Sequence, residues 1–443
     1  MNTSFCKGPW PLLALLACLS SHRAPAQGRD LSGCIGQALE SNFAIKIERN
    51  AAAMARNNAT YNPFLPTLEA SARQNQTINA TRAEDAAGTV SEASGAVSDT
   101  YAAGVALNWR LFDGMDMFAT RERLRELEAM GELSLQQGIE GLVMEVCSLY
   151  YSVVVQQYRL AAARRTMALS SERYEDAQFR YEIGKISGLE AKQAIVDLHA
   201  DSSAYVRQEE QLKNTYISLN KTMNVDLQGD DYVRDTIRMG APLSPGELER
   251  ETLENNKLLK IARGERRVSE LDYKKTRALF FPTLDLNTGY NYNLTNTPSA
   301  ATVANRSNGF YWGFSVNVPV FNRMQARARA KNARLEVENK EWSLQQVEKE
   351  LLSDLALAFN AYESNLLMMN FEQEGSAIAE NNLNEALAMF KLGALSGIDF
   401  RQFQQSYINA VDRKFAAMYQ AKMSELSLLL ISGQARELFT LQD

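Results

Sequence analysis

The sequence predicts a mostly helical chain with a membrane-spanning β part, built as two tandem copies of one unit. Three features predict it: an internal duplication, two very long tracts without proline, and short segments that alternate apolar and polar residues.

The duplication is read from three motifs that recur in the same order. Tyr61-Asn62-Pro63-Phe64-Leu65-Pro66-Thr67-Leu68 is echoed by Leu279-Phe280-Phe281-Pro282-Thr283-Leu284. Asn108-Trp109-Arg110-Leu111-Phe112-Asp113 is echoed by Asn317-Val318-Pro319-Val320-Phe321-Asn322. Tyr181 to Glu190 (YEIGKISGLE) is echoed by Phe390 to Asp399 (FKLGALSGID), at the same offset as the second pair. The first copy is expected over residues 27–228 and the second over 248–443, joined by a linker at 229–247 that contains Gly229, Gly240, Pro242 and Pro245. Each copy reads as a helix, two strands, a very long helix, a tight turn and a returning helix.

The long helices are expected from about Asp113 to Tyr181 and from about Asn322 to Phe390, where proline is absent and glycine sparse. At about 1.5 Å per residue each would reach on the order of 100 Å, too long for a globular domain and suited to a bundle or tunnel wall. Val347, Leu351, Leu355, Ala358, Tyr362, Leu366 and Met369 recur at steps of three and four, the apolar stripe of a packed helix.

Strands are expected near residues 66–78, 99–111, 282–294 and 309–320. Tyr101, Ala103, Val105, Leu107, Trp109 and Leu111 share one face, and Ala102, Gly104, Ala106, Asn108 and Arg110 share the other. Leu284, Leu286, Thr288, Tyr290 and Tyr292 likewise oppose Asp285, Asn287, Gly289, Asn291 and Asn293. Phe310, Trp312, Phe314, Val316, Val318 and Val320 oppose Tyr311, Gly313, Ser315 and Asn317. An apolar, aromatic-tipped face over about 10 residues fits a strand with lipid outside and water inside. A soluble sheet resting on a core is the alternative. The polar stretches Asn79–Ser98 and Thr295–Asn308 are expected as long outer loops. Four strands cannot close a barrel, and an open edge in lipid leaves backbone groups without partners, so closure requires several chains. Two chains would supply eight strands and three would supply twelve.

Composition narrows the function classes. The net charge of -6, with both signs mixed, provides no basic stripe for a nucleic acid. Lys7, the apolar run Pro11–Leu19 and Ala24-Pro25-Ala26 read as a signal peptide over residues 1–26, which predicts export; acylation of Cys18 is a second processing route with the same destination. Cys34 and Cys147 would then remain, too far apart in sequence to suggest a disulfide framework, and they read as small buried hydrophobes. After the signal no apolar run reaches the roughly 18 to 20 residues of a membrane helix. His199 stands alone on a helix without ligand-spaced Cys or His, and no nucleophile or phosphate-loop motif is present, so no catalytic, cofactor or metal site is expected.

In its tandem repeat, its F-x-P-T-L strand entries, its W-R-L-F-D strand exit and its glycine-containing helix turns, nearly the whole chain after the signal resembles the TolC-like outer-membrane factor family. The resemblance implies a homotrimer whose twelve strands close one barrel in outer-membrane lipid, continued by an α-helical barrel across the periplasm. It implies an exit duct of a tripartite efflux pump or type I secretion system, working with a periplasmic adaptor (membrane fusion) protein and an inner-membrane RND or ABC transporter. It also places the two glycine turns at the periplasmic tip, where Ile183, Gly184 and Ser187 and their counterparts Leu392, Gly393 and Ser396 match the turns that meet the adaptor. From the residues alone, glycine ends one helix and serine caps the next, a purely structural turn.

The resemblance further implies two aspartates, three residues apart, ringing the closed aperture. Asp399 occupies the first position and Gln402 the second, so the two-tier acidic pattern is incomplete; a ring of Asp399 would still suit a cation-selective constriction. A basic latch residue of the family is replaced here by Leu395, while Glu190 matches an acidic latch position and Phe390 an aromatic one. Closure is therefore expected to rely on packing through Phe390 and Leu395. A periplasmic coiled-coil scaffold is the competing function, which would account for the helices but not for paired amphipathic strands.

Overall fold

A computed structural model describes residues 30–84, 86–227, 233, 236–298, 303–321 and 324–434. The expected signal segment, Cys18, Asn322 and residues 229–232, 234 and 235 of the linker lie outside these. The element order is α1 (Leu31–Ser41), α2 (Phe43–Asn58), β1 (Thr67–Glu84), β2 (Val90–Phe112), α3 (Asp116–Glu182) and α4 (Gly188–Met223), then α5 (Pro245–Asn255), α6 (Lys257–Ala278), β3 (Thr283–Asn296), β4 (Ala304–Asn317), α7 (Gln325–Lys391) and α8 (Gly397–Ile431). The second six elements repeat the first six. The long helices α3 and α7 both have 67 residues. One offset relates their ends, the left-handed residues Met115 and Met324 that precede them, and the glycines Gly184 and Gly393 that follow.

Each copy opens with two helices where the sequence predicts one. The break falls at Asn42 and at Asn256, whose extended ψ angles of 131° and 128° interrupt the helical path. Both asparagines replace the lost helix bond with their own amides. Asn42 accepts from Ala44 N–H at 2.8 Å and donates to Thr222 C=O at 2.9 Å; Asn256 accepts from Leu259 N–H at 3.1 Å and donates to Ile431 C=O at 2.9 Å. Each thereby caps one helix and ties it to the C-terminal end of its copy's returning helix.

The four strands form one antiparallel sheet in the order β1-β2-β3-β4. Its register carries the predicted alternation across every strand. Val105 lies opposite Ala70 and Tyr290, Tyr290 opposite Phe310, and Leu286 opposite Trp109 and Phe314, so the apolar residues share one face. The strands reach further than expected: β1 runs to Glu84, β2 begins at Val90 and β4 begins at Ala304. The polar stretches taken for long loops are therefore mostly strand, because Ser, Thr and Ala serve a pleated ribbon in water as well as they serve a loop. A register shift between Asn79 and Thr81 bends the extended part of β1. At the other end β4 stops at Asn317, short of the expected 320, where Pro319 cannot donate to a ladder.

The main core lies around the middle of α3, where Val143, Val146, Cys147, Tyr150 and Val154 pack with Cys34 and Ile35 of α1, Leu219 and Met223 of α4, and Leu426 and Leu429 of α8. Among the described residues α3 is the one helix long and apolar enough to cross a bilayer, and its apolar part fills this core. The segment between the copies straps over the same core: Val233 and Ile237 are buried in it, and Gly240 N–H donates to Glu425 at 2.6 Å. Glu425 also pairs with Lys422 at 2.7 Å, both buried, so the charge introduced by either one is matched.

Candidate channel surfaces and hairpin tip

Two surfaces can carry function: the sheet at one end of the long helices and the helix turns at the other. On the sheet, Trp312 is 67% exposed and Phe310, Phe314 and Val316 are equally bare, a large aromatic face that water would not tolerate in a finished protein. The opposite face carries Thr67, Ser71, Asn75, Asn108, Asn287, Asn291 and Asn293 in register. Both outer strands, β1 and β4, have one unpaired edge. Trp109 anchors the apolar face at its base, its indole N–H donating to Phe64 C=O at 2.9 Å.

At the far end α3 turns into α4 and α7 into α8 by the same construction. Gly184 (φ +75°) and Gly393 (φ +76°) take the left-handed conformation that ends a helix, and bonds from Lys185 N–H to Arg180 C=O (2.8 Å) and from Ala394 N–H to Met389 C=O (2.9 Å) close the turn. Ser187 then caps Glu190 N–H at 3.3 Å, and Ser396 caps Asp399 N–H at 3.2 Å. The glycines leave their neighbours outside: Leu392 is 85% exposed and Ile183 about half exposed.

The predicted aperture residues separate into two groups. Phe390 and Leu395 come together in a small core with Leu383, Phe400 and Tyr407, and the Phe390 and Phe400 rings stack with centroids 5.2 Å apart. Asp399, Gln402 and Glu190 are exposed and do not join them. The Asp399 carboxylate accepts a 2.6 Å hydrogen bond from the Ser396 hydroxyl, which fixes the cap at the start of α8.

Sequence reasoning missed the charged ladder that joins the two helical hairpins. Arg401 of α8 forms a two-bond fork with Asp201 of α4, the Nη2–Oδ1 arm being 2.8 Å, and this bond raises the already high Arg401 pKa. Asp201 also accepts from the buried Ser170 hydroxyl at 2.6 Å. Arg173 of α3, buried, pairs with Asp197 and donates to Gly397 C=O at 3.1 Å. Further along, Arg165 pairs with Glu380 (2.6 Å) and Lys391 with Glu172 (2.7 Å). The Arg180 guanidinium lies over Phe390, 5.6 Å from its ring centre. The partners that join one hairpin to the other stand 200 or more positions apart in sequence, so no local spacing announces them.

A cleft of about 560 Å³ opens between the hairpins, walled by Ile186, Leu189, Leu395 and Ile398 and by Arg173, Arg180 and Arg401.

The comparisons with known proteins agree with this geometry. The sequence profile described as outer membrane efflux protein matches residues 34–225 and 248–434, one segment in each copy. Outer membrane protein TolC of Vibrio cholerae is 22% identical over 359 residues, covering 77% of this chain and 78% of TolC. Among solved structures, the Campylobacter jejuni CmeC outer membrane channel superposes with a TM-score of 0.77 at 14% identity, over 98% of this chain and 94% of CmeC. The outer membrane protein VceC of Vibrio cholerae gives 0.75 at 13% identity, over 92% and 97%. With its profile matched over most of the chain, and with a sheet and long helices of the same fold, the chain belongs to the outer membrane efflux protein family: it is a TolC-like outer-membrane exit duct of a Gram-negative bacterium, and not an enzyme.

Proposed function

We propose that three copies assemble into one duct whose twelve strands close a barrel in the outer membrane and whose helices continue it as a periplasmic tunnel. The observation that carries this is the four-stranded sheet, apolar on one face and polar on the other, with an open edge on each side. Each unpaired backbone group left in hydrocarbon costs several kcal/mol, so both edges need partners, and pairing β1 of one copy with β4 of the next supplies them. Strands β1 and β4 run antiparallel to one another in the sheet, so this closing pair is antiparallel too, as barrels require.

The tip is proposed as the gate. The exposed apolar residues Ile183 and Leu392, with Gly184, Ser187, Gly393 and Ser396, offer two like turns to a periplasmic adaptor, which would couple the duct to an inner-membrane RND or ABC transporter. Asp399, exposed at the start of α8, is the candidate for an acidic constriction, with Gln402 a turn further on. Phe390 and Leu395 support the turn from within, and the Arg401–Asp201 ion pair with the Arg173 hydrogen bond to Gly397 C=O holds the two hairpins together, so closure would rest on charge as well as on the packing expected from the sequence. Glu190 borders the arginine-lined cleft but forms no ion pair among the described residues, so it is not proposed as a latch.

Single-channel recording in a planar bilayer tests this, comparing the native protein with Asp399→Ala. Discrete cation-preferring steps whose divalent-cation block weakens in the variant are expected. Steps indifferent to Asp399→Ala would remove Asp399 from the gate, and a protein that never inserts would overturn the duct.

A further inference from the structure

The polar face of the sheet carries little charge, and its arrangement is specific. From the base of the sheet up to the level of Asn75, Thr100, Thr295 and Asn305, its positions are Thr, Ser, Asn, Gly, Ala, one Tyr and four charged residues: Glu69 and Arg73 on β1, Arg110 on β2 and Asp285 on β3. Two are acidic and two basic. Arg110 and Asp285 stand directly opposite in the β2–β3 ladder, with Nε donating to Oδ1 at 2.9 Å. They lie where β2 is about to become α3 and where β3 has just left α6, at the junction of sheet and helices. The Arg110 side chain is 56% exposed, on the face that the duct reading turns inward.

We propose that the Arg110–Asp285 pair, repeated around the duct, forms a charge-cancelling girdle at the mouth of the barrel and is the element that sets the barrel's indifference to the sign of a cargo's charge. The inference rests on the duct reading above. Rings of like charge in a narrow lumen select ions, because low-dielectric walls focus their field. Here each arginine meets its carboxylate within the same chain, and Glu69 and Arg73 offset one another higher up. Asn, Ser and Thr line the remainder, and these amides and hydroxyls bind neither sign preferentially. Preference for cations, where the duct shows it, then originates at the helical end.

The test is the cation-to-anion permeability ratio, from reversal potentials across a salt gradient, for native protein, Asp285→Asn, Arg110→Gln and the double variant. Asp285→Asn removes the carboxylate that each Arg110 is bonded to, leaving it only the more distant Asp113 and Asp116, and is expected to shift the ratio several-fold toward anions. Arg110→Gln is expected to shift it several-fold toward cations, and the double variant to return it to the native value. The shifts should shrink between 0.1 M and 1 M salt, as the screening length falls from about 10 Å to about 3 Å. If Asp285→Asn fails to assemble, Arg110→Gln still carries the test with the opposite sign. Single variants that insert normally and keep the native ratio, or a double variant that does not restore it, would overturn the girdle while leaving the duct intact. Absence of channels from every protein, native included, would defeat the duct itself.

Discussion

At the hairpin tip the conformation of one residue decides where a helix ends. Gly393 sits at φ +76°, where a Cβ costs about 1 to 2 kcal/mol for most residues and less for asparagine. Gly393→Ala should therefore lower the melting temperature of the detergent-extracted protein and speed hydrogen exchange across Met389–Ala394, with Gly393→Asn intermediate; equal behaviour of the two would show that the angle does not limit the turn. Burial pushes the Cys147 thiol up to about 12, and Cys34 lies fully buried in the same core. Neither cysteine should react with maleimide at pH 8 in the native protein, and both should react after denaturation, as mass spectrometry would show. The sequence was informative about these single residues where their role is local. Glycine and serine in a turn have one structural use, and an apolar-flanked cysteine has few. It was silent where the role depends on a distant partner, as for Asn42 with Thr222 and Arg401 with Asp201.

Elements were legible in proportion to their periodicity. The 67-residue helices follow from long stretches without proline, and the sheet faces follow from strict alternation, since a shift of one residue would turn every side chain to the wrong side. The strand ends were less legible, because Asn79–Ser98 has the composition of a loop while adopting a ribbon. The split of each opening helix was hidden because an asparagine in a helical pattern is also tolerated without a break. The hairpin-to-hairpin ladder has a measurable consequence at this scale. Asp201 is buried and receives both the Arg401 fork and the Ser170 hydroxyl, so Asp201→Ala strands a guanidinium among helices. Removing one partner of a fully buried pair costs about 3 to 5 kcal/mol, and the cost here is smaller because Arg401 borders the cleft and is partly solvated. Asp201→Ala should loosen the α4–α8 contact, raising hydrogen exchange over 397–404 and increasing single-channel conductance. A replacement that left both unchanged would show that apolar packing through Phe390, Phe400 and Leu395 alone holds the tip.

For the whole molecule, duplication is the economy that makes the fold readable: two weak copies of each motif, in the same order, define a unit that neither copy defines alone. What a single chain cannot complete is the barrel, and this incompleteness is itself the strongest statement about assembly. A sheet with a bare aromatic face and two open edges has no stable isolated state in either water or lipid. The direct measurement is native mass spectrometry of the protein extracted from membranes in mild detergent. A detergent-dependent species of three chains is expected, and a single chain released into buffer without detergent would contradict the shared barrel.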